Sequence, residues 1–325
     1  MVYYTYLQWF RMRTQLSFVI PVYNESGNIA PFGEEVISHA SHLGIGYEII
    51  FVNDGSRDST QNELIALQKK HPKIISVIEF RTNLGKAAAY MSGFAQSAGE
   101  RIITLDGDGQ DDPAEIPRLL ATLDNGFELV VGWKKDRRDS FIKNITSKFF
   151  NAVTGCISPV KLHDYNCGLK AYTKEAAKDL SLYGELHRYI PVLLSRRGYA
   201  VTEMPVHHRK RISGKSKYGP IRFINGFLDL FTVVSLTQFR SRPMHLFGYI
   251  GSLFFGAGFL AGAYLTFIKF IFGQSIGDRP LLLFSVMLMI MGVQIGISGL
   301  LGEYLVVSSH NKDMSPDIKA HIMHD

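Results

Sequence analysis

Cysteine is almost missing from this 325-residue chain, which has only Cys156 and Cys167. Two cysteines cannot build a disulfide framework, so stability must come from a packed core, and the bulk of the chain reads as cytosolic. Tryptophan is equally scarce, at Trp9 and Trp133. The opening stretch MVYYTYLQWFRMRTQ lacks a basic leader before an apolar core and a small-residue cleavage site. No secretory signal is therefore expected, and residues 1–14 read as a loosely ordered extension. Acid is missing between Glu203 and Asp229, and charge of either sign is missing from Leu246 to Ile268 and from Pro280 to Gly302.

The two uncharged runs are the strongest organisational signal. At about 1.5 Å per residue each makes roughly 34 Å of helix, against a bilayer hydrocarbon core of about 30 Å. Two transmembrane helices, 246–268 and 280–302 within a segment 243–308, are expected, followed by a polar tail over 309–325. The connector KFIFGQSIGDR is short, so both ends of the hairpin face one side. Arg209, Lys210, Arg211, Lys215, Lys217 and Arg222 crowd the approach to the first helix, while the connector is poor in basic residues. The positive-inside rule then places the N-terminal portion and both termini in the cytoplasm. Neither run contains an internal charge, which argues against a transporter subunit. The spacings Gly258–Gly262 and Gly292–Gly296 permit close helix approach, serving either the hairpin itself or a homo-oligomer.

The first 135 residues alternate short apolar runs with helical patterns. LSFVIPV (16–22), YEIIFV (47–52), IISVIEF (74–80), RIITL (101–105) and ELVVG (128–132) read as strands, with helices over 58–71 and 86–97. This is an α/β pattern with a parallel sheet covered on both faces. Ligands of such sheets bind outside the carboxyl ends of the strands. The polar clusters NESGN, NDGSRDS, RTNLGK and DGDGQDD each follow one of the first four strands, so all four fall at that edge.

DGDGQDDP is acidic in a chain whose formal net charge is +6. In an extended segment, Asp106, Asp108 and Gln110 project to one side, and oxygen donors of this kind suit Mg2+ or Mn2+ completed by phosphates. Asp111 and Asp112 read as helix-start residues, with Asp112 as N-cap and Pro113 at the first helical position. Asp54 follows a strand in a turn and is able to accept bonds from a base or ribose, although NDGS is also a common turn. Lys86 opens a helix after Gly85, where charge and backbone N–H groups favour a phosphate. Asp164, in HDYNCGLKAY, is either a turn residue or a site residue. Glu185, His187 and Arg188 open an apolar helix, where capping explains the glutamate as well as catalysis would. The basic stretch HHRKRISGKSKYG leads into IRFINGFLDLFTVVSLTQF, whose polar stripe suits a helix lying in the membrane interface over 219–242. Lipid headgroups, not nucleic acid, are its expected neighbours.

VIPVYNE, VNDGS, NLGK, DGDGQDDP, DYNCGLKAY, HRYIPVLLSRRGY and GKSKYG together resemble the family 2 glycosyltransferases that transfer a sugar from a nucleotide-sugar to polyprenyl phosphate. The two C-terminal helices are similar to those of the bacterial members. The resemblance implies a GT-A fold over 15–218 and an inverting, metal-dependent reaction at the cytoplasmic membrane. It implies that Pro21, Tyr23, Glu25, Asp54, Lys86 and Asp106 hold the nucleotide-sugar. Asp106, Asp108 and Gln110 would hold a divalent cation, Mg2+ or Mn2+, and Asp108 and Asp164 would serve catalysis. Arg211 and Lys217, with His187 and Arg188, would meet the acceptor phosphate. Gly107 and Gly109 depart from the alanine and leucine frequent in the family, which predicts a more flexible acidic loop. A processive polysaccharide synthase would carry a Q-x-x-R-W motif, and TQFRSRP has no tryptophan. An inactive nucleotide-sugar-binding module would show eroded clusters, yet Asp106, Asp108, Gln110 and Asp164 are all present.

Overall fold

The computed structural model describes residues 14–135, 151, 154, 155, 158–209 and 242–310. The N-terminal extension, the interfacial helix expected over 219–242 (save Arg242), Arg211, Lys217 and the tail beyond residue 310 lie outside the described residues. The chain divides into two compact units, Met1–Leu230 and Phe231–Asp325.

The first unit is built on a seven-stranded sheet of order β3-β2-β1-β4-β6-β5-β7. Strand β1 (Leu16–Val22) is buried at every residue but Pro21 and lies between β2 (Tyr47–Asn53) and β4 (Arg101–Thr104), parallel to both. β3 (Ile75–Glu79) continues the parallel set beside β2. All four agree with the apolar runs; β1, β2 and β4 are largely buried, and a strand covered on both faces needs no polar alternation, whereas the edge strand β3 is only partly buried. The remaining strands are β5 (Leu129–Lys134), β6 (Lys170–Thr173) and β7 (Val201–Val206). β6 inserts between β4 and β5 and runs antiparallel to both, while β7 is parallel to β5. The sheet is thus mixed, not wholly parallel. KAYT escapes a pattern search because it is short and carries a lysine that is only 2 % exposed.

The helices of this unit are α1 (Ile29–Ser41), α2 (Thr60–Lys70), α3 (Lys86–Gln96), α4 (Ile116–Asp124), α5 (Lys174–Asp179) and α6 (Ile190–Arg196). α4 buries Ile116, Leu119, Leu120 and Leu123, the stripe that a helix on a sheet requires. Before it, Asp112 accepts from Ala114 N (3.0 Å) and Pro113 opens the turn, as the sequence predicts.

The second unit is a pair of helices, α7 (Pro243–Phe272) and α8 (Pro280–His310), both long and apolar enough to cross a membrane. Only 17 % and 11 % of their apolar windows are buried, which is unlike the core helix of a soluble protein. Their glycines face each other. A Cβ at Gly292 would lie 2.6 Å from Gly251 O, and one at Gly258 would lie 2.6 Å from Ser285 O. Gly258 and Gly292 therefore serve the hairpin's own packing. Glu303 accepts from Met244 N (3.1 Å), satisfying an amide of the first turn of α7 and pinning the two open ends together.

Candidate active site

Because β1 to β4 are parallel, their carboxyl ends bring the four polar clusters to one edge. There a cleft of about 460 Å³ is lined by Tyr23, Gly55, Arg57, Glu79, Arg81 and Asn83, among others. Pro21 is the last but one residue of β1, two residues before the lining Tyr23. The loops interlock: Asn24, at φ 51°, donates its N–H to Ser56 Oγ (2.9 Å) and accepts from Arg57 N (2.8 Å). Glu25 donates its main-chain N–H to Thr60 Oγ1 (2.9 Å), and its carboxylate accepts from Asn28 Nδ2 (3.0 Å). Asp54 is 5 % exposed and accepts from Leu84 N (2.7 Å), Gly85 N (3.0 Å) and Asn83 Nδ2 (2.9 Å). Burial raises its pKa while the bonds from Leu84 and Gly85 oppose that rise. The aspartate thus shapes the loop that leads to Lys86.

Lys86 opens α3 and pairs with Asp106 at 2.5 Å, with its Nζ 5.5 Å from the Tyr90 ring centre. Burial pushes the Asp106 carboxyl up, but Lys86 and then Lys134 outweigh it and hold the group well below the usual carboxylate range. Asp108 accepts from Gln110 N (3.1 Å). Burial, with Asp106 and Asp111 adding to it, pushes the Asp108 carboxyl up to about 6. Gln110 is joined to the chain beyond β7, its main-chain oxygen accepting from Arg209 N at 3.0 Å.

Asp111 is not a helix-start residue. Its side chain is wholly buried, pairs with Lys134 of β5 at 2.9 Å, and accepts from Asp106 N at 2.9 Å. It carries the acidic loop from below. No motif in the sequence signals this, because Lys134 is 23 residues away and meets Asp111 only once β5 is in place. The loop's glycines are likewise structural. Gly107 packs against Val22, and Gly109 adopts a left-handed φ of 72° that favours glycine. The expected extra flexibility is therefore replaced by a close fit. Arg209, grouped by sequence with the basic membrane-facing stretch, turns instead onto Asp112 (2.5 Å) and Glu35 (2.6 Å).

On the other side of the acidic loop, Gly168 leaves room for the Asp106 carboxylate, into which any Cβ would intrude. Asp164 is 1 % exposed, and its Oδ1 accepts from Asn166 N at 3.2 Å. Sequence reasoning missed Glu203 of β7, whose carboxylate accepts from His163 N (2.7 Å), His163 Nδ1 (2.5 Å) and Asp164 N (3.3 Å). The His163 ring stacks on Trp133 with centres 4.1 Å apart. Lys170 donates to Cys167 O, and burial lowers its pKa to about 8. Burial, then Lys86 and Arg188, hold the His187 pKa well below that of an ordinary imidazole. Arg188 pairs with Glu185, giving that glutamate a partner other than the helix end.

The donors gathered at Asp106, Asp108 and Gln110 are all oxygens, the chemistry a hard divalent ion takes. Among the described residues no group of three or more His, Cys, Asp or Glu forms a closed metal cage.

Residues 17–181 match the model for glycosyl transferase family 2. This chain belongs to that family. The glycosyltransferase is 36 % identical over 310 residues to the dodecaprenyl-phosphate galacturonate synthase of Rhizobium johnstonii, covering 93 % of this chain and 91 % of the relative. It is 33 % identical over 291 residues to the undecaprenyl-phosphate 4-deoxy-4-formamido-L-arabinose transferase of Shewanella sediminis, covering 89 % and 86 %. Its GT-A fold is shared with glucosyl-3-phosphoglycerate synthase of Mycobacterium tuberculosis, solved with Mg2+ and uridine diphosphate. That match has a TM-score of 0.52 at 19 % identity and covers 72 % of this chain and 83 % of the other.

Proposed function

We propose that this glycosyltransferase moves a sugar, with inversion, from a UDP- or GDP-linked donor to a polyprenyl phosphate at the cytoplasmic face of the membrane. The observation that carries the proposal is the acidic loop: Asp106, Asp108 and Gln110 border the same strand-end edge as the Tyr23–Asn83 cleft, with Lys86 beside them. Relatives that match nearly the whole chain are named for prenyl-phosphate acceptors, and the apolar hairpin provides the means of reaching one.

The cleft takes the nucleoside, with Pro21, Tyr23 and Glu25 on one side and the loop held by Asp54 on the other. A divalent cation held by Asp106, Asp108 and Gln110 would neutralise charge on the diphosphate. Lys86 adds a second positive charge as the bond from the anomeric carbon to the diphosphate breaks and its electron pair leaves with the phosphate oxygen. An oxygen of the acceptor phosphate forms the new bond from the opposite face. A phosphate monoester has a second pKa of about 6, so this nucleophile is largely dianionic at neutral pH and needs no strong base. Asp164 accordingly orients the acceptor or the sugar, while Arg211 and Lys217, helped by His187 and Arg188, hold the phosphate at attacking distance.

The test is incubation of the purified full-length protein and Mg2+ or Mn2+ with undecaprenyl phosphate and a panel of nucleotide-sugars. A lipid-linked sugar phosphate from at least one donor is the expected product. Transfer to a soluble sugar, with no lipid product from any donor, would overturn the proposal.

A further inference from the structure

Trp133 is one of two tryptophans in the chain and stands next to Lys134. β5 runs antiparallel to β6, which runs antiparallel to β4. β5 and β4 therefore point the same way, and Trp133, near the end of β5, reaches the edge where the acidic loop lies. The pairing Thr104↔Lys170↔Val131, continued two residues towards that edge, sets Asp106, Gly168 and Trp133 in one row on one face of the sheet. Two observations agree with this register. The main-chain N–H of Gly132 donates to Leu169 O at 2.9 Å, and a Cβ on Gly168 would run into the Asp106 carboxylate. With neighbouring strands about 4.8 Å apart, Trp133 is about 10 Å along the row from Asp106, and Gly168 puts no side chain between them.

This row extends the line of the site. The Tyr23–Asn83 cleft lies at the ends of β1, β2 and β3, the acidic loop follows at the end of the next strand, β4, and β6 and β5 come after it. A donor with its nucleoside in the cleft and its diphosphate at the acidic loop therefore carries its sugar towards Gly168 and Trp133. A hexopyranose has C–H faces inside a rim of hydroxyls, and a flat aromatic ring packs against such a face. Trp133 is half-buried, and its ring is backed by that of His163, with centres 4.1 Å apart. One imidazole covers only one face of an indole. Lys135, an exposed residue, has its Nζ 5.8 Å from the Trp133 ring centre, where it can meet a hydroxyl of a sugar stacked there.

We propose that Trp133 is the platform on which the donor's sugar ring stacks, so that it takes part in choosing which sugars are accepted. The inference rests on the nucleotide-sugar reading of the site and adds to it a residue that meets the sugar. The nucleoside diphosphate part of the donor does not reach Trp133, so nucleotide and sugar are read by different strands of the sheet.

The test uses the full-length protein in detergent with Mg2+. Trp9→Phe leaves Trp133 as the one tryptophan, and its emission is recorded with a panel of UDP- and GDP-linked hexoses and with UDP and GDP alone. At least one nucleotide-sugar is expected to change the emission beyond the effect of its own nucleoside diphosphate. By titration calorimetry, Trp133→Ala is expected to bind that nucleotide-sugar about tenfold more weakly while binding UDP and GDP as wild type does, and Trp133→Tyr to regain part of the loss. Equal emission changes with and without the sugar would overturn the proposal, as would a Trp133→Ala protein that loses UDP and GDP to the same extent, which marks a structural role. An emission change with undecaprenyl phosphate but with no nucleotide-sugar would put the ring on the acceptor side and overturn it too. A wild type that binds no nucleotide-sugar of the panel removes the reading of the site and the platform together. If wild type and Trp133→Ala bind the nucleotide-sugar equally well, the platform alone falls.

Discussion

A Cβ at Gly107 would lie 2.5 Å from Val22 Cγ1 and 3.2 Å from Pro21 O. Valine in a strand has little freedom to turn aside, so β1 and the acidic loop cannot both stay in place. Gly107→Ala is expected to cost about 1–3 kcal/mol, read as a lower thermal midpoint, with a loss of transfer activity greater than the loss of folded protein. An unchanged midpoint would show that the fit is looser than this. Cys167 offers a second residue-scale test. Its thiol is buried, and burial is the main reason its pKa is pushed up to about 12, against about 8.5 for an ordinary thiol. Because the folded form keeps its proton, this group favours the fold at neutral pH, and that contribution is lost as pH rises from about 8.5 through 12. Alkylation mapped by mass spectrometry should leave Cys167 unmodified in native protein at pH 8 to 9 and modify it on unfolding. Rapid native labelling would contradict the assigned burial.

Elements contribute what single residues cannot. β7 supplies Glu203, and β5 supplies Trp133 and Lys134, so the turn that carries Asp164 and the loop that carries Asp108 are both held by neighbouring strands of the sheet. Glu203→Gln retains the shape of the side chain but loses the charge that gathers three N–H groups. The expected result is a fall in kcat of tenfold or more with KM for the nucleotide-sugar little changed, because the Tyr23–Asn83 cleft lies on other strands. A rise in that KM with kcat unchanged would place Glu203 on the donor side instead. β1, β2 and β4 were legible as apolar runs because they are largely buried, and the partly buried edge strand β3 was legible by its isoleucines and valine. β6 was not, since its buried Lys170 breaks the run, and neither was β7, whose run is interrupted by Thr202, Glu203 and Pro205. Asp111 and Asp112 both read as helix-start residues in the sequence, with Asp112 as the N-cap. Only the position of Lys134 distinguishes the buried partner from the cap.

For the molecule as a whole, charge is distributed by function. The acidic edge is balanced from within by Lys86 and Lys134, which come from different elements. Since those pairs and the glycines hold the acidic loop, removing metal should stop transfer without unfolding the protein. Chelation by EDTA is expected to abolish activity and leave the thermal midpoint nearly unchanged, with activity restored by Mg2+ or Mn2+. A large fall in the midpoint would mean that the ion, not the ion pairs, organises the loop. The hairpin makes a different prediction. Apolar burial is insensitive to salt, whereas surface electrostatics are screened within about 3 Å at 1 M. The protein should therefore stay in the membrane fraction through high salt and alkaline carbonate and be released only by detergent. Release by salt alone would mean that α7 and α8 do not cross the bilayer.

The sequence by itself determined the strand-end clusters, the helix start at Asp112–Pro113 and the two apolar spans, and it singled out Asp106, Asp108 and Gln110 as neighbouring oxygen donors. Each depends on contacts or periodicities within a few residues, or on length and polarity alone. Tertiary structure alone decided the antiparallel insertion of β6, the burial of Asp111 against Lys134, the anchoring of Asp164 by Glu203 and the intramolecular use of the membrane glycines. Those features join residues tens of positions apart, where neither spacing nor composition leaves a signal. The glycines at 107 and 109 belong to both. Their identity is plain in the sequence, but only the packing against Val22 and the left-handed turn at residue 109 explain why the loop holds them.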